Sequence, residues 1–235
     1  MSKLYLKQLS WDSTFFKKKI SSLIITEENF HIEDLHRIFE NSNDDLIYVF
    51  SNAENIPKET LLKYNGHLVD KKIVFSSNIH KGAFSKNVSP FFEKKEELYS
   101  LSRAAGTYSR FRRDPNFTEE VFFRFYDKWI ENSINKNIAD IVMVYNDKNT
   151  IKGLITAKHD EKKATIGLFS VEQKSRGKGL GHELINHLFA YLNELGIRQL
   201  NVATQLENTN ACSFYSKIGF KKSNITYIYH FWKNK

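Results

Sequence analysis

The sequence predicts an α/β (α+β) protein: a largely antiparallel sheet with flanking helices, preceded by a smaller N-terminal α/β domain. Three observations predict it. The first 80 or so residues alternate strand-like and helix-like segments. Three β-rich runs joined by short polar turns follow Asp140. A basic, glycine-rich loop then leads from the last of these runs into a long amphipathic helix.

The elements follow in order. "KLYLKQL" alternates in polarity and reads as a strand, and "ISSLIIT" as a second. "NFHIEDLHRIFENSN" puts Ile32, Leu35 and Phe39 on one helical face. "DLIYVFSN" is β-branched and aromatic, hence a strand. "IPKETLLKYNG" has Pro57 near its start and Gly66 at its end, the asymmetry expected of a short helix. "HLVDKKIVFSSNI" returns as a strand. From His80 to about Lys95 no period survives, so the expected division is an N-terminal domain at 1–85, a linker at 86–95 and a second domain at 96–235.

The second domain opens with helix-like "EELYSLSRAAGTYSR" and a basic loop, "SRFRRDPNF". "TEEVFFRFYDKWIENSI" is an amphipathic helix that Thr118 can cap, with Phe122, Phe125 and Trp129 on one face. "DIVMVYN", "TIKGLITAKH" and "ATIGLFSVE", turned by "DKN" and "DEKK", form an antiparallel meander. "GHELINHLFAYLNELGI" lines up Leu184, Leu188, Leu192 and Leu195, and Gly196 ends it. A strand "RQLNVATQL", a helix "NTNACSFYSKIG" and a final strand region close the chain.

Composition narrows the function classes. The chain has 235 residues, 41% hydrophobic and 26% charged, which is ordinary globular usage. A net charge of +8 favours anionic partners: nucleic acid, an anionic membrane or a phosphorylated small molecule. The lone Cys212 makes neither an intrachain disulfide nor a cysteine-based metal site, and the eight histidines include no H-x-x-x-H pair, so no metal is expected. No apolar run reaches signal-peptide or membrane-span proportions, so the expectation is a soluble, cytoplasmic protein without membrane insertion.

"EQKSRGKGLG", Glu172–Gly181, carries the chemistry. Backbone N–H groups at a helix start bind anions, and glycine lets the backbone come close to them. The loop is not a Walker motif, because Gly179 is followed by Leu180 and Gly181. It is not a dinucleotide fingerprint either, since G-x-G-x-x-G is absent. Arg176-Gly177-Lys178-Gly179-Leu180-Gly181 resembles the (Q/R)-x-x-G-x-(G/A) loop of the GNAT N-acetyltransferase superfamily. Asn208, Ala211, Tyr215, Gly219 and Phe220 are similar to that superfamily's N-x-x-A-x-x-x-Y-x-x-x-G-F pattern after the next strand. "LSWDSTFF", "YSRFRRDPNF" and "FYDKWIENSI" resemble a narrower branch, the dTDP-fucosamine acetyltransferase-like sugar-nucleotide N-acyltransferases.

The resemblance implies the GNAT fold, with a central mixed, mostly antiparallel sheet flanked by helices. It implies an acyl-CoA co-substrate, with Arg176, Gly177, Lys178, Gly179, Leu180 and Gly181 around its pyrophosphate. Phe169 and Val171 would offer strand backbone to the pantetheine arm, and the Val171 N–H would also stabilise the oxyanion. Tyr215 would protonate the leaving thiolate; a packed aromatic is its other reading. Asn208 would contact the pantetheine arm or cap a helix. The implied acceptor is the amino group of a dTDP-amino-dideoxyhexose used in cell-surface glycans such as O-antigen or capsule. The acyl group would be acetyl or a larger one such as 3-hydroxybutanoyl.

Ser109, Arg110, Phe111 and Arg113 are the candidate acceptor residues, with Arg112 beside them: arginine matches diphosphate geometry, and Phe111 or a nearby aromatic could stack on the base. The alternative is that the segment caps and packs a loop. Glu172, Glu207, His159 and Asp160 are base candidates by element position only, with a water relay beside them, and none is assigned. A protein or small-molecule amine is the alternative acceptor. A nucleic-acid-binding module is the remote one, and no nucleic-acid motif supports it. A homodimer is the assembly to test.

Overall fold

The computed structural model describes residues 4–26 and 30–233. Lys3 and Asn29, at the starts of the first expected strand and first expected helix, lie outside them. The chain divides into two compact units. The first comprises the chain up to Ile73, Gln205–Glu207 and the chain from Asn224 on; the second comprises Val74–Thr204 and Asn208–Ser223.

In the first unit, β1 (Lys7–Gln8) pairs antiparallel with β2 (Ile20–Ile25), with helix α1 (Ser10–Phe16) between them in sequence. Strand β2 is parallel to β3 (Leu46–Ser51), and α2 (Ile32–Asn41) makes the crossover that parallel pairing requires. Helix α3 (Lys58–Lys63) leads into β4 (Gly66–Asn78). The strand order is β1-β2-β3-β10-β4, with β10 (Lys221–Trp232) antiparallel to β3. Leu23, Ile25, Leu35, Val49, Tyr229 and Phe231 are in its core. Gly66 does not end α3: Asn65 takes the left-handed position at φ 49°. Glycine is required at 66 because an added Cβ would strike the Phe231 ring.

In the second unit the strand order is β4-β9-β8-β7-β6-β5, where β5 is Val88–Pro90, β6 Ile141–Asp147, β7 Thr150–His159, β8 Lys163–Val171 and β9 Gln199–Gln205. Strands β6, β7 and β8 form the expected antiparallel meander. Its first turn has Lys148 and Asn149 at φ 47° and 66°, the two left-handed positions of a tight hairpin. Helices α4 (Glu96–Ala105) and α6 (Glu119–Ile134) are joined by a two-pronged Arg103–Asp127 ion pair, and α4 packs on β7 and β8. Thr118 caps α6 by accepting from the Val121 N–H at 3.3 Å. Helix α7 (Leu180–Glu194) lies against β6, β7 and β8, burying Leu184, Leu188 and Leu192. Leu195 departs from that expected stripe: it sits at the C-cap and is exposed.

The division differs from the 1–85, 86–95 and 96–235 segments expected. Ile79 N–H donates to Arg198 O, Ser85 Oγ to Glu183, and β5 pairs with β6, so residues 79–90 are built into the second unit. The C-terminal strand pairs with β3, far earlier in the chain. Both follow from long-range pairing, which composition does not register.

Candidate active site

Strand β8 builds the site. Its ladder with β7 shifts register between Ile155 and Ala157, so Gly167 and Leu168 stand opposite the single residue Thr156. Thr156 Oγ1 accepts from the Leu168 N–H at 2.9 Å and satisfies the donor that the bulge displaces. Beyond the bulge, Glu172 N–H donates to Lys152 O at 2.8 Å. Backbone groups alternate edges along a strand. Val171 and Phe169 therefore turn their N–H and C=O groups away from β7.

They turn toward β9, where pairing has stopped. The parallel β8–β9 ladder runs from Lys163↔Gln199 to Ile166↔Val202 and goes no further among the described residues. The two strands part at the bulge, leaving an edge of β8 that an extended, amide-bearing ligand can join as a strand would.

The loop leaves from the end of that edge. After a 3-10 turn, η1 (Gln173–Ser175), Gly177 and Gly179 stand at φ 78° and 89°. That conformation is open to glycine and costs other residues about 1–2 kcal/mol. Gly179 is the N-cap of α7 and offers no side-chain partner to the first-turn N–H groups, which remain available to an anion. Arg176 and Lys178 are exposed, and Arg176 Nε donates back to Val171 O at 3.1 Å. Leu180 anchors the turn from inside, while a Cβ on Gly181 would press on Phe169 and Phe214 at 3.3–3.4 Å.

Helix α8 (Thr209–Lys217) closes the site. Asn208 is its N-cap, accepting from the Ala211 N–H at 3.2 Å, so the capping role is realised. Tyr215 is buried, its ring 6.2 Å from Phe169, 5.6 Å from Phe75 and 5.7 Å from Phe220. Burial among these rings pushes its phenol well above the usual range, so it holds its proton throughout the physiological span.

The base candidates separate. Glu172 is held below the ordinary glutamate range by hydrogen bonds from Lys152 and Ser175, which makes it a poor base. His159 and Asp160 belong to the hairpin before β8, the strand's opposite end from the loop. Asp160 is engaged in accepting the Lys162 and Lys163 N–H groups. Glu207 falls in the first unit.

The expected acceptor segment is not a loop but a one-turn helix, α5 (Arg110–Arg113), begun by Ser109. Phe111 is buried, 4.2 Å from Phe125 and 5.5 Å from Phe117 between centroids; it packs the core and is removed from base stacking. Ser109 is buried beside it. Arg112 pairs with Glu119. The Arg110 guanidinium lies over the Phe111 ring, and Arg113 is exposed. Tyr108, which the sequence reading did not single out, is the exposed aromatic next to them.

A bulged, splayed strand that ends in a left-handed glycine loop and a helix N-terminus offers a strand edge to an extended amide chain and a helix start to an anion. The profile of the acetyltransferase (GNAT) family matches residues 98–220, more than half of the chain, and the chain belongs to that family. It is an acyltransferase of a family whose donor is acyl-CoA, and its loop and open β8 edge suit that donor. The chain is 24% identical to the spore coat polysaccharide biosynthesis protein SpsD of Bacillus subtilis over 96% of its own length and 82% of that protein's. It is 30% identical to the dTDP-fucosamine acetyltransferase of Escherichia coli over 55% of its length, spanning about half (56%) of that relative. The GNAT structure from Sphaerobacter thermophilus superposes with a TM-score of 0.55 at 13% identity, covering 97% of this chain and 76% of that one.

Proposed function

We propose that this acyltransferase moves an acyl group from acyl-CoA to the amino group of a dTDP-amino-dideoxyhexose for a cell-surface polysaccharide. The observation that carries the reading is the parting of β8 from β9 after Ile166↔Val202, with Gly177 and Gly179 left-handed at the end of the exposed edge. The two relatives named for polysaccharide and dTDP-sugar chemistry support the acceptor class. The net charge of +8 suits two anionic substrates.

These placements support the following roles. Acyl-CoA supplies an activated thioester carbonyl. Gly177 to Gly181 hold its pyrophosphate on backbone N–H groups, with Arg176 and Lys178 adding charge. Phe169 and Val171 orient the pantetheine arm along β8, and Asn208 lies at the start of the neighbouring helix. The Val171 N–H donates to the carbonyl oxygen as negative charge grows there, a contribution of about 3 kcal/mol for a well-placed donor. Tyr215 gives its phenolic proton to the departing thiolate as the C–S bond breaks, and the proton shed by the attacking amine passes through water to restore the phenol. Arg110 and Arg113 grip the acceptor's diphosphate, with Ser109 supporting their helix and Tyr108 offering a ring to the base.

The test is a panel of acyl-CoA donors, acetyl and 3-hydroxybutanoyl among them, against dTDP-3-amino- and dTDP-4-amino-dideoxyhexoses, read by mass spectrometry. A mass gain of one acyl group on a dTDP-aminosugar is expected. No product from any pair, with acylation of a peptide or simple amine instead, would overturn the acceptor.

A further inference from the structure

The chain turns from β8 into the glycine loop at Glu172, and four contacts hold that turn. Glu172 N–H donates to Lys152 O at 2.8 Å, and Ser175 N–H donates to Glu172 O at 2.9 Å. The Glu172 carboxylate accepts from Lys152 Nζ at 3.0 Å and from Ser175 Oγ at 2.9 Å. The Lys152 and Glu172 side chains are 23% and 38% exposed, so the pair is partly shielded from water and counterions.

This arrangement matters for charge as well as shape. Glu172 is the residue between the β8 edge and a loop that binds an anion. An unpaired carboxylate there would repel the diphosphate. The Lys152 ammonium cancels that charge, and Ser175 ties the carboxylate to the turn that precedes Arg176 and Gly177. Lys152 sits on β7, the strand that also holds the bulge through Thr156. One strand therefore braces both the β8 edge and the mouth of the loop.

We propose that Lys152 is a positioning residue that acts through Glu172 and Ser175 to neutralise and fix the mouth of the glycine loop, setting the affinity for the diphosphate of the acyl donor. The inference rests on the acyl-CoA reading above. It requires that Lys152 act on donor binding and leave the acceptor and the chemical step alone.

The test is calorimetric binding of CoA to the wild type, Lys152→Met, Lys152→Arg, Glu172→Gln and the double variant Lys152→Met/Glu172→Gln. Steady-state kcat and KM for the acyl donor at two ionic strengths and a thermal melt accompany each. Lys152→Met should weaken CoA binding about 10-fold, the scale of one uncompensated like charge at close range. The loss should shrink at high salt, where that charge is screened. KM for the donor should rise with kcat held within about 2-fold. Lys152→Arg should behave as wild type. The double variant should recover most of the affinity, because the amide introduced by Glu172→Gln carries no charge to repel the ligand. A Lys152→Met protein that melts normally and binds CoA as wild type overturns the proposal. So does a double variant no better than Lys152→Met, or a fall in kcat with KM unchanged. A wild type that binds no CoA overturns the acyl-CoA reading itself.

Discussion

Tyr215 on α8 and Phe169 on β8 lie with ring centroids 6.2 Å apart and planes tilted by 43°, which sets the phenol beside the strand proposed to receive the donor. The ring contacts fix its position, and burial keeps its proton in place. Tyr215→Phe keeps the ring and removes the proton. Turnover should fall about 100-fold, the lower end for loss of a general acid, with CoA affinity nearly unchanged. Kinetics beside calorimetric CoA titration decide it; unchanged turnover would end the role.

Thr156 sets the bulge from across the ladder. Thr156→Val removes the acceptor of the Leu168 N–H and leaves a buried donor unpaired, a cost of about 1–3 kcal/mol. Since Phe169 follows directly, donor KM should rise as the melting temperature drops. Denaturant melts and donor kinetics on the same protein give both readouts.

Phe111 and its arginine neighbours should separate cleanly. Phe111→Ala empties a core position between Phe117 and Phe125 and should cost about 3 kcal/mol of stability. Arg113→Ala, at an exposed position, should raise KM for the dTDP-aminosugar about 10-fold, with donor KM constant. If acceptor KM does not move in Arg113→Ala or Arg110→Ala, the diphosphate grip lies elsewhere.

His187 makes stability depend on pH. It is buried under Phe84 on α7, and its Nδ1 accepts from the Ser85 N–H at 3.1 Å. Burial lowers its proton affinity in the fold below the usual value of 6.5. The unfolded chain therefore binds the proton more readily than the native one. The contribution of neutral His187 is complete above about pH 6.5 and is lost as pH falls through the lower folded value. Melting temperatures across pH 7.5 to 5 should fall less steeply in His187→Gln, which does not titrate. Parallel curves for the two proteins would assign the pH dependence to other groups.

Local chemistry was legible wherever a short segment decides its own conformation. Thr118 announces the cap of α6, and Lys148–Asn149 the hairpin turn. The leucines from 184 to 192 announce the buried face of α7. Reading failed where the partner is distant. Arg110–Arg113 looks like a loop because one helical turn has no period to detect. Gly66 looks like a helix stop, yet Phe231, at the other end of the chain, is what excludes its Cβ. Residues 80–95 look like a linker because the groups that bind them, Glu183, His187 and strand β6, lie far along the sequence.

By itself the sequence determined the family and the residues of its loop. Glycines at 177, 179 and 181 after a strand, and the spaced Asn208 and Tyr215, are set by backbone conformation and helical spacing, which are local. Only the tertiary structure decided that β8 bulges at Gly167–Leu168 and parts from β9, because that outcome depends on Thr156 across the ladder and on where a parallel pairing stops. It also decided that Phe111 belongs to the core and that Lys152 reaches Glu172. Burial and ion pairing are properties of neighbours in space, and in this fold those neighbours come from separate elements of the chain.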